Sequence, residues 1–182
     1  YHLSELGHRM ADAAAASLVK HPVTRLIASP LQRAQESAEP WAKRFALDIV
    51  TDERIIEPTN WFEGKIMRQA LRRPNAWLQV RNPLKPSWGE PFVSVRDRML
   101  AAIDDAWAAT ESGEVALVSH QMPIVMVSRA VRGLRLPHDI RSRRCTLSSI
   151  TTLARDGDRF VEVDYQEPAK DLLASAIDLG AV

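Results

Sequence analysis

The chain has 182 residues, enough for one domain with a full core and too few for two. Hydrophobic residues make up 46% of it and charged residues 26%, which excludes disordered, collagenous and disulfide-stapled proteins. With a net charge of +1, the protein lacks the long-range electrostatic field that draws proteins to nucleic acid or anionic lipid. No apolar run reaches the roughly 18 residues of a membrane span, and the single Cys145 cannot form an internal disulfide. We therefore expect a cytoplasmic protein with neither a nucleic-acid nor a membrane partner.

The first part of the chain predicts a helix, a strand and a second helix. Ser4 is placed to cap a helix whose apolar positions recur every fourth residue and which extends to about Lys20. Val23 to Ala28 follows as a short apolar strand, closed by Ser29-Pro30. A polar helical stretch then extends to Phe45. This order is typical of the strand, turn and helix units of α/β proteins.

The middle of the chain is less regular. Leu47 to Val50 predicts a second strand, and Thr51 to Lys65 has no clean period and predicts a loop. Arg68 to Val80 is moderately helical. Pro91 suits the first turn of a long helix that extends to about Thr110. The spacing of these elements continues the alternation of strands and helices.

The last third repeats the unit and then changes to a hairpin. Val115 to Val118 is continuously apolar, which predicts a strand buried on both faces. Ser119-His120-Gln121 then turns into a helix that ends near Gly133, and Cys145 to Leu153 pairs with Arg159 to Tyr165 as an antiparallel hairpin. The pattern predicts one α/β domain over residues 1–182, a three-layer structure with a mainly parallel sheet and helices on both faces.

Two residues stand where parallel sheets bind ligands, beyond the carboxyl ends of strands. Arg33 lies one turn into the helix after Ser29-Pro30, and His120 ends the most apolar strand. An arginine near a helix N-terminus combines a cationic fork with unpaired backbone N–H groups. Taken singly, Arg33 fits a solvated helix residue better than a ligand-binding one. His120 fits a hydrogen-bonded core histidine as well as it fits a ligand-binding residue. Together they favour a site for phosphate or carboxylate.

Short motifs along nearly the whole chain resemble the ordered series of the histidine phosphatase superfamily, which has the phosphoglycerate-mutase-like fold. They are Leu3-Ser4-Glu5-Leu6-Gly7, Ser29-Pro30-Leu31-Gln32-Arg33-Ala34, Trp61-Phe62-Glu63-Gly64, Gly89-Glu90-Pro91 with Arg98, and Val118-Ser119-His120. The resemblance implies a phosphomonoesterase or phosphomutase that passes a phosphoryl group through a phosphohistidine. It implies neither a metal nor another cofactor.

The resemblance also implies roles for individual residues. Arg33 would clamp the phosphate, and His120 would hydrogen-bond the transferring group. Glu57 would donate a proton to the leaving oxygen, although Glu53 and Glu63 are nearby and the interval to the Glu-Gly pair is one residue short. These roles make His120, Glu57 and Arg33 the candidate catalytic residues, with no metal ligand among them.

One departure from the family pattern concerns the nucleophile. The family's attacking histidine belongs to an Arg-His-Gly tripeptide that ends the first strand, and this chain does not contain that tripeptide. Its histidines are His2, His8, His21, His120 and His138. We therefore expect the nucleophile upstream of residue 1, on about 20 further residues, and a domain without its first strand.

The leading functional hypothesis is hydrolysis of small phosphate monoesters, such as sugar phosphates or phosphoglycerate derivatives. Arg33, His120 and the adjacent Gln121 are the candidate binding residues for this small phosphorylated metabolite. A mutase is the alternative enzyme, but the interval from Gly64 to Pro91 is short for the insertion that encloses a bisphosphate. A non-catalytic module that binds phosphorylated ligands is the alternative from another class. The oligomeric state, including a homodimer, stays open.

Overall fold

A computed structural model describes residues 1–58, 89–139 and 143–173 of the chain, and the structural statements below refer to these residues. Its elements are α1 (Glu5–Ser17), β1 (Val23–Ala28), α2 (Gln32–Phe45), β2 (Ile49–Thr51), a 3₁₀ turn (Glu53–Ile55), α3 (Phe92–Ala108), β3 (Glu114–Val118), α4 (Gln121–Val131), β4 (Ile150–Asp156), β5 (Arg159–Gln166) and α5 (Lys170–Leu173). The helix predicted over residues 68–80 and the Trp61-Phe62-Glu63-Gly64 motif lie outside the described residues.

Helix α1 begins as the sequence predicts and ends earlier. The Ser4 hydroxyl accepts a hydrogen bond of 3.1 Å from the backbone N–H of Gly7, which caps the helix. The helix ends at Ser17 rather than near Lys20, so the predicted end is wrong by about one turn. Tight turns replace the last helical turn, because the chain must reverse before the proline that precedes β1.

The three parallel strands align their carboxyl ends at one edge of the sheet. The sheet has the order β2-β1-β3, and Ala28 at the end of β1 is paired with Thr51 on β2 and with Val118 on β3. The predicted second strand is shifted, since β2 covers Ile49–Thr51 rather than beginning at Leu47. Groups that follow β1 and β3 are therefore neighbours at the edge where α/β proteins bind ligands.

Helices cover both faces of this sheet, which confirms the predicted three-layer architecture. Alternate residues of a strand point to opposite faces, so Leu26 packs in a cluster with Trp41 of α2 and residues of α1. Ile27 packs on the other face with Met99 of α3 and Val127 of α4. The predicted hairpin is also confirmed, with β4 and β5 paired antiparallel, but its first strand covers Ile150–Asp156 rather than beginning at Cys145.

Strand β3 is less buried than its apolar sequence predicts. All five of its residues are half-buried, although its side chains join the clusters on both faces. Its one partner strand among the described residues is β1, so its other edge has no strand paired to it there. The expectation of full burial on both faces was therefore wrong, because cover by helices does not replace a neighbouring strand. None of the helices described is both long and apolar enough to cross a bilayer.

Candidate active site

The site begins where the ends of β1 and β3 are joined through Ser29. The backbone N–H of Ser29 donates to the carbonyl of Val118 at 3.0 Å. Its hydroxyl oxygen lies 2.7 Å from Nε2 of His120, and both residues are buried. Because β1 and β3 are parallel and in register here, this contact fixes the imidazole at the carboxyl edge of the sheet.

Arg33 lies at the same edge, in the first turn of α2. The residue before the helix, Leu31, supplies no capping side chain, so the positive end of α2 adds to the arginine's charge. The guanidinium lies under the ring of Tyr1, with 4.6 Å between the guanidinium carbon and the ring centroid. The charge of Arg33 contributes to lowering the pKa of His120, so the two predicted site residues are electrostatic neighbours.

Arg98 of α3 is a second guanidinium at this edge. Its Nε donates to both carboxylate oxygens of Glu90 at 3.0 Å, and Nη1 donates to the backbone carbonyl of Arg54. Its charge helps lower the pKa of His120, as the charge of Arg33 does. Arg98 belongs to the Gly89-Glu90-Pro91 motif, but no role was predicted for it. Glu90 precedes the first residue of α3, so the contact between the two side chains depends on how the segment before the helix folds back.

His120 is held in its neutral form. Burial lowers the pKa of the imidazole to about 3, and the positive charges of Arg33 and Arg98 lower it further. A neutral imidazole carries one N–H donor and one acceptor nitrogen. It can therefore donate a hydrogen bond to a phosphoryl oxygen without itself exchanging a proton at neutral pH.

Glu57 lies just beyond the 3₁₀ turn, with one carboxyl oxygen enclosed. Burial raises its pKa to about 7, against the backbone hydrogen bond from Met122 and the charges of Arg143, Arg33 and Arg98. Its Oε2 has no hydrogen-bond partner among the described residues. A carboxylic acid that holds its proton near pH 7 suits a general acid.

Two hydrogen bonds fix the segment that leads to Glu57. The Ser119 hydroxyl donates to the carbonyl of Ile55 at 2.7 Å, and Arg98 reaches the carbonyl of Arg54. Glu53 lies on the same turn but is exposed, and Glu63 is outside the described residues. Between Glu53 and Glu57, Glu57 is the one whose pKa responds to the charges of the arginines at this edge; its role as the acid stays a prediction.

Gln121, the third predicted binding residue, is held by protein groups at the start of α4. Its Nε2 donates to the carbonyl of Cys145 at 3.0 Å, and its Oε1 accepts from Nη1 of Arg143 at 2.9 Å. Arg143 is half-buried. It belongs to a basic run whose composition is typical of a solvated face or of a patch that attracts an anionic substrate, so its burial was not predicted.

The remaining histidines have other partners. His2 contacts the buried carboxylate of Glu36, with 2.5 Å between Nδ1 and Oε1, and His8 lies 3.8 Å from the same carboxylate. His21 pairs with Glu114 beside β3. Within the described ranges, no group of three or more histidine, cysteine, aspartate or glutamate side chains is arranged to hold a metal ion.

The raised pKa of Glu57 predicts a pH-dependent cost in stability. A buried acid whose pKa rises from 4.5 to about 7 stabilises the fold below pH 4.5, and the contribution is lost as the pH rises through 7. Glu57→Gln, which mimics the protonated acid, should therefore raise the free energy of unfolding at pH 8 by about 3 kcal/mol and change it little at pH 4. Urea unfolding at both pH values measures this. The prediction would be contradicted if the variant had the same free energy of unfolding as the wild type at pH 8.

Comparison with known proteins assigns the chain to a family. Residues 1–168 match the model of the histidine phosphatase superfamily (branch 1). The chain is 46% identical over 172 residues to the Uncharacterized protein Rv0525 of Mycobacterium tuberculosis (strain ATCC 25618 / H37Rv), which covers 93% of this chain and 85% of that protein.

Solved structures show the same likeness. The mycobacterial glucosyl-3-phosphoglycerate phosphatase Rv2419c superposes with a TM-score of 0.62 at 27% identity, over 75% of this chain and 71% of that one. A phosphoserine phosphatase mutant from Entamoeba histolytica, in complex with phosphoserine, gives a TM-score of 0.76 at 18% identity, over 92% and 85% of the two chains. At 18% identity, the comparison with the Entamoeba histolytica protein shows a shared fold.

Proposed function

Because the chain belongs to the histidine phosphatase superfamily, we propose that it hydrolyses small phosphate monoesters through a phosphohistidine intermediate. The observation that supports the proposal is that the charges of Arg33 and Arg98 act on both His120, which burial keeps neutral, and Glu57, whose pKa burial raises to about 7. Two guanidinium groups and an imidazole suit a phosphoryl group. An acid beside them suits the oxygen that leaves it.

The proposed reaction has two steps. A histidine nitrogen attacks phosphorus, the bond to the ester oxygen breaks, and Glu57 gives its proton to that oxygen so that an alcohol leaves. Water then attacks the phosphohistidine while the Glu57 carboxylate takes a proton from it, which releases phosphate and restores both groups. Arg33 holds the phosphoryl oxygens throughout, and the charge of Arg98, which is paired with Glu90, adds to the positive potential at this edge.

The attacking histidine is a separate part of the proposal. His120 is the one histidine contacting Ser29 at this edge in the described structure, and its neutral ring fits a hydrogen-bonding role. The attacking group is expected ahead of Tyr1, and this stays a prediction. The cytoplasmic location also stays a prediction. Whether the protein forms a homodimer stays open.

Hydrolysis is preferred to mutase activity because the interval from Gly64 to Pro91 is short for an insertion that encloses a bisphosphate. The names of the relatives do not separate the two activities, since a phosphatase and a probable phosphoglycerate mutase both match at 27% identity. A non-catalytic module that binds phosphorylated ligands is the second candidate, since the described residues suffice for binding without an attacking atom.

The test combines intact mass with a panel of phosphate monoesters. A protein verified by mass to begin at Tyr1 should bind inorganic phosphate and release none from any ester, because it lacks the attacking histidine. A protein that carries the Arg-His-Gly tripeptide should release phosphate and accumulate an acid-labile phosphoenzyme. Turnover by the form that begins at Tyr1 would contradict the proposed mechanism. Binding without turnover in both forms would favour the non-catalytic module, and transfer to a second alcohol without phosphate release would favour the mutase.

A further inference from the structure

Ser119 connects the carboxyl edge of the sheet to the segment that leads to Glu57. It lies between the last residue of β3 and His120, and its hydroxyl donates to the backbone carbonyl of Ile55 at 2.7 Å. Ile55 ends the 3₁₀ turn and precedes Glu57 by two residues. One hydrogen bond therefore joins the residue before His120 to the backbone two residues before Glu57.

The side chains of Ser119 and His120 contact different parts of the structure. The backbone of His120 is extended, and successive side chains of an extended chain point to opposite sides. The Ser119 hydroxyl lies 3.9 Å from the sulfur of Met99, a buried residue of α3, whereas the His120 imidazole contacts Ser29. Ser119 therefore holds the turn from the side opposite to the one on which His120 meets Ser29.

The other hydrogen bonds of the 3₁₀ turn hold it at residues further from Glu57. The Asp52 carboxylate accepts from the backbone N–H of Arg54 at 2.8 Å and from its guanidinium at 2.7 Å. The carbonyl of Arg54 accepts from a guanidinium of α3. The carbonyl of Ile55, one residue later, accepts from Ser119. Among the contacts described, this hydrogen bond is the one from another element to the backbone of the turn that is closest in sequence to Glu57.

We propose that Ser119 is a positioning residue for proton transfer, because its hydrogen bond to Ile55 sets the backbone from which the Glu57 side chain reaches the leaving oxygen. This inference rests on the proposed function, in which Glu57 is the acid. A general acid must lie within about 2.6 to 3.2 Å of the atom that it protonates. A displacement of about 1 Å therefore costs a large part of the rate. Without the hydroxyl, the carbonyl of Ile55 loses this partner and the turn can shift relative to His120.

The first test compares two leaving groups in a protein that carries the attacking histidine. Ser119→Ala should lower kcat for an alkyl phosphate by about 5- to 20-fold, and kcat for nitrophenyl phosphate by less than about twofold. The difference arises because a nitrophenolate can leave without the proton that Glu57 supplies. The affinity for inorganic phosphate should be unchanged, since Arg33 and His120 are retained. Ser119→Thr keeps a hydroxyl and should restore most of the rate with the alkyl ester.

The second test determines whether Ser119 acts through Glu57. In the Glu57→Gln background there is no acid to position, so Ser119→Ala should cause no further loss of kcat with the alkyl ester. A hydroxyl that only stabilised the fold would lower kcat by the same factor in both backgrounds. Ser17→Ala is the matched control, because Ser17 also donates to a backbone carbonyl, that of Ala14 in α1, at 2.8 Å. It should leave both rates unchanged.

Thermal unfolding checks that each variant is folded. If Ser119→Ala is not, both tests use Ser119→Cys, which replaces the hydroxyl by a weaker donor of similar shape. Equal losses for the two esters, no loss for either, or a further loss in the Glu57→Gln background would overturn the inference while the proposed function stands. Hydrolysis of neither ester by the wild-type protein, or equal losses for both esters in Glu57→Gln alone, would reject the proposed mechanism and this inference with it.

Discussion

Glu57→Gln is expected to slow hydrolysis of an alkyl phosphate by about 10²- to 10⁴-fold in a protein that carries the attacking histidine. The rate of hydrolysis of nitrophenyl phosphate should fall much less. A nitrophenolate can leave without receiving a proton, whereas an alkoxide needs one. The pKa of about 7 for Glu57 adds a pH signature. For the alkyl ester, kcat/KM should fall as the pH rises above 7, since the protonated acid is the active form, and this decline should be absent in the variant.

Glu53→Gln is the matched control for that experiment. Glu53 lies on the 3₁₀ turn four residues before Glu57 but is exposed, so its carboxyl should not reach the leaving oxygen. Glu53→Gln should slow hydrolysis of the alkyl and nitrophenyl esters by similar small factors. Equal losses for the two leaving groups in Glu57→Gln would show that Glu57 is not the acid. A loss that depends on the leaving group in Glu53→Gln would move the role there.

His120→Ala is expected to lower kcat by about 10²- to 10³-fold, the usual effect of removing one positioned donor from a developing negative charge. Ser29→Ala should have a smaller effect, because Ser29 positions the imidazole through the 2.7 Å contact. Burial holds the pKa of His120 at about 3 in the free protein. The acid limb of kcat/KM should therefore not follow an ordinary histidine titration near pH 6.5.

Steady-state kinetics across pH 4 to 9 separates these roles. Loss of the His120 imidazole should reduce the rates of alkyl and nitrophenyl phosphates alike, since the phosphoryl group is common to both. A loss confined to the alkyl ester would assign His120 to the leaving group instead. An effect of Ser29→Ala as large as that of His120→Ala would mean that the hydroxyl itself contacts the substrate.

The sequence by itself determined the layers of the fold and the edge at which the site lies. Apolar periodicity predicted α1 and α3, a polar helical stretch predicted α2, and partial alternation predicted the terminal hairpin. The Ser4 cap marked the start of α1. These features depend on neighbours in the chain, so local patterns suffice. Arg33 and His120 were found the same way, because Arg33 lies in the first turn of the helix after β1, His120 follows β3, and parallel strands bring their carboxyl ends together.

Only the tertiary structure decided burial and partnership. Strand β3 is apolar on both faces, yet its exposure depends on a neighbouring strand that its own sequence does not reveal. Glu53 and Glu57 are the same residue type in one loop, and packing against α4 separates an exposed carboxylate from an enclosed acid. Arg98 and Arg143 acquired their places through contacts with distant segments. Solvent exclusion and the sum of nearby charges depend on three-dimensional distance, which residue spacing does not encode.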